Sequence, residues 1–304
     1  MIRSVNVTNY LGETLSIDPF DPESSGFLIT NLKGITPVKA DINFTDITTQ
    51  DGGLYNSSRI GTRNITMALM FMPKPTIEDT RLLSYRYFPV KKQVSLEFIT
   101  DSRRAEIVGY VESNDINIYT KSEYSAISIL CPDPYFYSTD KESVIDVLFS
   151  GILPGFRFTI PSNSDAAPNL IFGKMKSVNE KIIKYTGDSE IGMEVIIRAV
   201  GPVGDIIVYN RITQESMTIK ADKLQTLTGS SMSSGDVITI LTYRGNKKIE
   251  LLRNGVVYNI LNCLDKNASW LQLRKGNNTI AFNATSGVLN LQLEVKSKTI
   301  YEGL

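Results

Sequence analysis

Few residues of this chain could carry out catalytic chemistry. Its 304 residues contain no histidine. Histidine is the commonest general base and the commonest zinc ligand, so every His-dependent triad is excluded. The sequence also contains no Walker A motif, no GxGxxG loop opening a helix and no cysteine pair at zinc spacing. Asp18, Asp21 and Glu23 lie close together, but in a stretch typical of a polar loop. We therefore predict that the chain is not an enzyme and holds neither a metal nor a cofactor.

Two cysteines, Cys131 and Cys263, are widely separated along the chain. We expect both to be buried, unpaired thiols, and a long-range disulfide is the alternative. The N-terminal stretch has no apolar run of the kind found in signal peptides, and no segment reaches the roughly 18 apolar residues of a membrane helix. The sequence therefore predicts a protein that is made in the cytoplasm and does not insert into a membrane.

Aromatic and arginine side chains are the remaining candidates for binding. Trp270 is the sole tryptophan, and Tyr243 and Tyr258 fall on neighbouring predicted strands. Such rings either stack on a sugar or fill the core and rim of a β-sandwich. Arg59 and Arg63 flank a glycine at the start of a strand. They are either solvated charges or polar anchors across an assembly interface, where arginine is enriched.

The elements that must position these side chains are mostly strands, because short alternating segments bounded by turn residues dominate the sequence. In the first half, strands are predicted at 4–8, 27–31, 39–46, 63–72, 93–100, 104–112, 115–120 and 124–131. In the second half, strand patterns occur at 156–161, 193–200, 205–210, 216–221, 237–243, 248–253, 279–284 and in the final stretch from 287 onward. Asn254-Gly255 is the strongest hairpin signal. This pattern indicates β-sandwich or barrel domains.

The predicted strand 63–72 has two unequal faces. One face is apolar and consists of Ile65, Met67, Leu69 and Phe71, whereas the other is only partly polar and includes Thr66, Ala68 and Met70. We expect the first face to lie in a core. The second face is expected to lie under a helix or against a neighbouring subunit, with Arg59 and Arg63 near that boundary.

One helix interrupts the strands, and it is predicted over residues 76–87. Thr76 is a suitable N-cap, Glu78 and Asp79 occupy the first turn, and Pro89 ends the helix. Later in the chain, the segment 131–138 carries two prolines that force an extended, turning backbone. We place a domain boundary there, giving an N-terminal domain at 1–138 and a C-terminal domain at 139–304. The alternative is that the final strand returns to the first domain.

The overall charge favours assembly rather than nucleic-acid recognition. Lysine plus arginine and aspartate plus glutamate each number 32, so the formal net charge is zero. A nucleic-acid-binding protein usually has a basic excess. A neutral chain has little self-repulsion and can associate with its own copies.

Taken in order, several motifs resemble the distal tail (Dit) proteins of long-tailed, non-contractile bacteriophages of Gram-positive hosts. RIGTRNITMALMF resembles the G-x-R-x-I strand of that family, TIEDTRLLSYRYFP resembles the helix that follows it, and CPDPYFYS resembles the end of its first domain. FRFTIPSNSDAAPNLIFG resembles the opening of its second domain, although Ser162–Asp165 lacks the usual glycine. LRKGNNTIAF resembles a late hairpin of the family.

This resemblance implies a mainly β protein with a ring-forming N-terminal β-sandwich or barrel-like domain that carries one α-helix. The C-terminal domain would be an antiparallel β-sandwich of the galectin-like or carbohydrate-module type. Six copies would form a ring at the virion tail tip, after synthesis and assembly in the host cytoplasm. The implied partners are the tail tube protein, a tail-associated lysin or fibre, and a receptor-binding protein. DNA would pass through the channel without specific binding.

Two other classes of function remain open at the level of sequence. The first is a carbohydrate-binding adhesin that recognises the host surface through Trp270, Tyr243 and Tyr258. The second is an enzyme such as a glycosidase, which would need a carboxylate pair in one cleft. The interface hypothesis instead depends on Arg59, Arg63, Thr66, Ala68 and Met70.

Overall fold

A computed structural model describes residues 1–49, 51–120, 122–149, 152–154, 173–175 and 179–304. Their contacts divide the chain into two compact units. Unit 1 comprises Met1–Ser143 together with Ile300–Leu304, and unit 2 comprises Val144–Thr299. The predicted strand at 156–161 and the Ser162–Asp165 turn lie outside the described residues.

Unit 1 is built mainly from antiparallel strands, which confirms the predicted fold class. Its strands are β1 (Ile2–Thr8), β2 (Thr14–Ile17), β3 (Phe27–Lys33), β4 (Ala40–Asp46), β5 (Gly53–Ile60), β6 (Arg63–Phe71), β7 (Gln93–Thr100), β8 (Arg104–Asn117), β9 (Tyr124–Cys131) and β10 (Phe136–Ser138). Its helices are the single turn α1 (Pro22–Ser25) and α2 (Ile77–Tyr87), and a 3-10 turn spans Lys141–Ser143.

The main sheet of unit 1 has the strand order β2-β1-β7-β8-β9-β6-β3 among the described residues. The apolar face of β6 lies in the core as predicted, since Ile65 and Leu69 have no exposed surface. Neighbouring strands add side chains of the same kind, such as Leu96 and Ile129. Removal of this apolar surface from water is the main source of the free energy of folding.

Helix α2 begins where the sequence predicts. The side chain of Thr76 accepts a hydrogen bond from the backbone N–H of Asp79 at 3.1 Å, and the helix ends just before Pro89. Ile77, Leu83 and Tyr87 pack against the core. Because its partners are core side chains, the helix lies on the apolar face of the sheet. The partly polar face of β6 therefore faces away from it.

Two strands of unit 1 form a separate hairpin. β4 and β5 pair with each other in a two-stranded sheet, with a register shift between Asn43 and Phe44. Nearly every side chain of the hairpin is exposed. We call residues 40–60 the β4–β5 hairpin below.

Unit 2 contains the strands β11 (Val144–Phe149), β12 (Ile152–Pro154), β13 (Gly173–Met175), β14 (Glu180–Tyr185), β15 (Glu194–Ala199), β16 (Ile206–Asn210), β17 (Ser216–Ile219), β18 (Val237–Tyr243), β19 (Asn246–Arg253), β20 (Val256–Asn259), β21 (Gly276–Ala284) and β22 (Leu291–Lys298). It also has the helix α3 (Ala221–Thr228) and 3-10 turns at Leu261–Cys263 and Val288–Asn290. The last strand of the chain, β23 (Ile300–Tyr301), belongs to unit 1.

The described strands of unit 2 form antiparallel sheets with the orders β11-β22-β15-β18-β19-β20 and β14-β21-β16-β17, and β12 pairs with β13. The predicted hairpin is confirmed, because Asn254 and Gly255 join β19 to β20 with φ angles of 50° and 78°. Two consecutive positive φ angles define the turn that matches the twist of paired strands. Cys131 and Cys263 are buried and unpaired, as expected.

Three features differ from the sequence prediction. The segments 104–112 and 115–120 form the single strand β8, with a register shift between Val111 and Ser113. Residues 221–228 form the helix α3, whereas the sequence analysis predicted no helix there and a strand that ended at residue 221. The predicted final strand is divided into β22 and β23, and these two strands belong to different sheets.

Candidate assembly surface

Three predicted interface residues lie together on the open face of β6. Thr66, Ala68 and Met70 are half-buried, and their cross-strand partners on β9 are Ser128, Ala126 and Tyr124. These pairs give a surface of small and partly apolar side chains. Further along the same sheet, the paired residues Tyr110 and Leu130 are 47% and 40% exposed.

Polar contacts hold this open face in place. The hydroxyl of Ser128 donates to Glu112 at 2.8 Å and to Asn64 at 3.1 Å. Glu97 accepts hydrogen bonds from Asn6 at 2.8 Å and from Thr139 at 2.7 Å. Burial acts to raise the pKa of Glu97, but these hydrogen bonds outweigh it and the pKa is lowered. Hydrogen bonds between side chains of neighbouring strands thus fix several polar groups of this face.

The β4–β5 hairpin carries a group of exposed apolar side chains that the sequence analysis missed. Ile42, Phe44 and Tyr55 are 51%, 59% and 57% exposed, and Leu54 is 60% exposed. Phe44 and Tyr55 are cross-strand partners with ring centroids 6.4 Å apart in an edge-to-face arrangement. The alternation in 39–46 indicated a strand, but the polar run Asn56-Ser57-Ser58 concealed its partner. Contiguous exposed apolar groups mark interaction sites on soluble proteins.

Arg59 is at the surface of the same hairpin. Its side chain is 79% exposed and lies 3.4 Å from Asp41 on the neighbouring strand. An ion pair this exposed contributes little to stability. Arg59 is thus exposed to solvent, and its place at an interface stays a prediction.

Arg63, by contrast, is inside unit 1 with 2% of its surface exposed. Its Nε donates to the carbonyl of Pro134 at 2.7 Å, and its Nη2 donates to the carbonyl of Glu302 at 2.6 Å. Its Nη1 donates to the carbonyls of Gly34 and Thr36. Burial lowers the pKa of the guanidinium. The structure therefore separates Arg63 from the exposed residues with which the sequence analysis grouped it.

The three aromatic candidates in unit 2 do not share one surface. Trp270 has the ammonium of Lys247 at 5.3 Å from its ring centroid. Lys247 pairs with Thr242, so it lies on the sheet face opposite to that of Tyr243. Tyr258 pairs with Leu251 on β19, five residues beyond the partner of Tyr243, or about 17 Å along the strand. The three rings thus do not form one common surface for a sugar, and sugar stacking by them stays a prediction.

The described residues contain no group of three or more cysteine, aspartate, glutamate or histidine side chains arranged to hold a metal ion. In the same part of the chain, no helix is long and apolar enough to cross a membrane. Asp18 and Asp21 belong to the turn that leads into α1, and the Asp18 carboxylate accepts from the backbone N–H of Phe20 at 2.8 Å.

Comparison with known proteins shows the fold to be that of a phage tail protein. The crystal structure of Dit (gp 19.1) of phage SPP1, a paradigm of the hub adsorption apparatus in Gram-positive infecting phages, has a TM-score of 0.63 with this chain. The two are 11% identical, and the match covers 97% of this chain and 98% of the SPP1 protein. The predicted resemblance to Dit proteins is thereby confirmed at the level of structure.

Two structures of the phage P2 baseplate in its activated conformation, with Ca and with Sr, give TM-scores of 0.48 and 0.45. Each is 13% identical and covers 98% of this chain and 99% of its own. Neither a protein-family model nor a curated protein matches the sequence. The structural neighbours are thus phage hub and baseplate proteins, found through fold rather than through sequence.

Proposed function

We propose that this chain is a structural hub of a phage tail tip, without catalytic activity. The observation that carries the proposal is the shared fold with SPP1 Dit over nearly the whole length of both chains. Copies of the chain would form a closed ring, and the family resemblance sets their number at six. The ring would join the tail tube to a tail-associated lysin or fibre and to a receptor-binding protein, while DNA passes through the channel.

Two surfaces of unit 1 support the ring. The β4–β5 hairpin presents Phe44 and Leu54 to solvent, and the open face of β6 presents Ala68 and Met70. Different surfaces that fit one another generate head-to-tail contacts, and such contacts close into a ring when the rotation between copies permits it. We propose that the hairpin of one copy contacts its neighbour and that Arg59 is a polar anchor of this contact.

Native mass spectrometry and negative-stain microscopy of the full chain test this proposal. We expect a closed oligomer of six copies at high protein concentration. Phe44→Ser combined with Tyr55→Ser should shift the population to monomer, because it removes the apolar pair that the hairpin presents on one face. Arg59→Glu should weaken the ring by reversing the charge at its edge.

Tyr119→Ser is the matched control, since it removes an aromatic side chain of unit 1 that is 94% exposed and lies outside the hairpin. Its oligomers should equal those of the unmodified chain. A strictly monomeric full chain at high concentration would contradict the ring. A ring that tolerates the double hairpin variant would place the contact elsewhere.

A further inference from the structure

The last five residues of the chain fold with the first unit, although all of unit 2 lies between them and Ser143. We call Ile300–Leu304 the C-terminal segment. Its strand β23 pairs with β10, which in turn pairs with β8 of the main sheet. Ile300 and Tyr301 are 3% and 7% exposed, so the segment is part of the core of unit 1.

Side chains and backbone both hold this segment. The guanidinium of Arg103 lies 4.3 Å from the ring centroid of Tyr301, and its Nη1 donates to the carbonyl of Gly303 at 3.2 Å. The backbone N–H of Leu304 donates to the carbonyl of Ile35 at 3.1 Å. A Cβ atom at Gly303 would come within 2.8 Å of Pro37, so only glycine permits this approach.

Arg63 joins this segment to two others. The guanidinium has five N–H donors, and four of its hydrogen bonds go to backbone carbonyls in the segments 34–36, 134 and 302. It also lies 4.6 Å from the ring centroid of Phe136. Without Glu302, a buried cation would lose one of its acceptors, and an unsatisfied buried charge is expensive.

We propose that the C-terminal segment is a folding checkpoint: it completes unit 1 only after the whole of unit 2 has been synthesised. Residues 1–143 leave the ribosome first, but the strand that covers the free edge of β10 and an acceptor for Arg63 follow the whole of unit 2. Unit 1 therefore reaches its final state only in chains that extend through residues 300–304. Exclusion of incomplete chains from the assembly follows if the ring proposed above exists, whereas the folding step does not depend on it.

The test is hydrogen–deuterium exchange of the full chain and of a variant that ends at Thr299. In the shortened chain we expect amides in 34–37, 63–65 and 136–138 to exchange at least about tenfold faster, the loss typical of a hydrogen bond to a charged group. Exchange in unit 2 should not change. An excess of a synthetic peptide with the sequence Thr299–Leu304 should restore the protection, and the same peptide with Tyr301→Ala should not.

Arg63→Lys in the full chain tests the segment without shortening the chain, in case the shortened variant fails to fold. Lysine keeps the charge but has three donors on a single nitrogen, too few for four carbonyls arranged around a planar guanidinium. Exchange should therefore rise in 300–304 as well as in 34–36. Arg3→Lys is the matched control, because Arg3 is an exposed arginine of unit 1 paired with Asp101.

Unchanged protection in the shortened chain, or the absence of rescue by the peptide, would overturn the proposal. These measurements are made at a concentration where the chain is monomeric. A failure of the checkpoint is thus distinguishable from a failure of the ring, which native mass spectrometry reports separately.

Discussion

Two arginines in the described part of this chain are buried, and their positive charges are compensated in different ways. Arg63 is surrounded by backbone carbonyls, whereas Arg253 in unit 2 forms an ion pair with Asp236, Nε to Oδ1 at 2.9 Å. Arg253 also donates to Ser230 and Ser231, in the segment that leads into β18. Burial acts to raise the pKa of Asp236, but the hydrogen bonds from Arg253 and Ser233 hold it below its usual range.

Arg253→Ala should therefore destabilise unit 2 by about 3–5 kcal/mol, because it leaves the Asp236 carboxylate buried without its counter-ion. The control is Arg211→Ala, which breaks the exposed pair with Glu180 and should have a much smaller effect on stability. Urea denaturation of each variant, monitored by hydrogen exchange in unit 2, measures both losses of stability. Equal effects of the two substitutions would contradict the role assigned to the buried pair.

Cys131 supplies a pH-dependent prediction for unit 1. Burial raises the pKa of its thiol to about 11, compared with 9.0 for an unperturbed cysteine. The folded state thus favours the protonated thiol, and the associated stability is complete below pH 9 and is lost as the pH rises toward 11. We expect a loss on the order of 2 kcal/mol over this range.

Cys131→Ala should be less stable at neutral pH but should lose less of its stability between pH 9 and 11. Denaturation curves at a series of pH values give this difference, because Cys131 is the one titratable group that differs between the two proteins. An identical alkaline slope in the two proteins would show that Cys131 does not contribute to it.

At the scale of elements, the sequence predicts what is local. The alternation of β6 depends on residues within one strand, and the start of α2 depends on residues within one helical turn. Both predictions are confirmed. Helix α3 was missed because its support is distant: Lys220 at its N-cap makes no side-chain cap, and the carboxylate of Asp205 accepts from the N–H of Ala221 at 2.8 Å.

The position of Arg63 could not be predicted for the same reason. An arginine close to a glycine at the start of a strand is typical of an exposed charge. The acceptors of Arg63 come from segments far apart in sequence. The alternation of strand 39–46 predicted β4 but not that β4 and β5 form a separate two-stranded sheet. The alternation of apolar residues and the helix caps thus determine which strands and helices form. Whether a charged side chain is buried depends instead on which distant segments pack together.

Helix α2 offers a test of the local signal. Thr76→Ala removes the acceptor for the backbone N–H of Asp79 and should cost unit 1 about 1 kcal/mol. Thr76→Ser keeps a hydroxyl at the same position and should be close to neutral. Thermal denaturation monitored by circular dichroism compares the two, and equal losses would mean that the cap contributes nothing.

For the whole molecule, the prediction concerns the division of the chain. A boundary near residue 138 stays our proposal, and limited proteolysis should cut between about 132 and 165, since connections between compact units are the usual sites of cleavage. Because β23 pairs with β10, the two fragments should still elute together in native buffer and separate in denaturant. Protection throughout this window would contradict the boundary, and separate elution would contradict the tight docking of the C-terminal segment.

The pairing of β10 with β23 also has an evolutionary consequence. The chain leaves unit 1 soon after one strand and returns on its immediate neighbour, in register Tyr137 with Ile300. Adjacent strands lie about 5 Å apart, so the two ends of the intervening sequence emerge side by side from the same sheet. Domains whose termini are close together can be inserted into a host fold without distorting it. The pairing therefore predicts that another domain could replace unit 2 between residues 143 and 300 while the sheet of unit 1 stays unchanged.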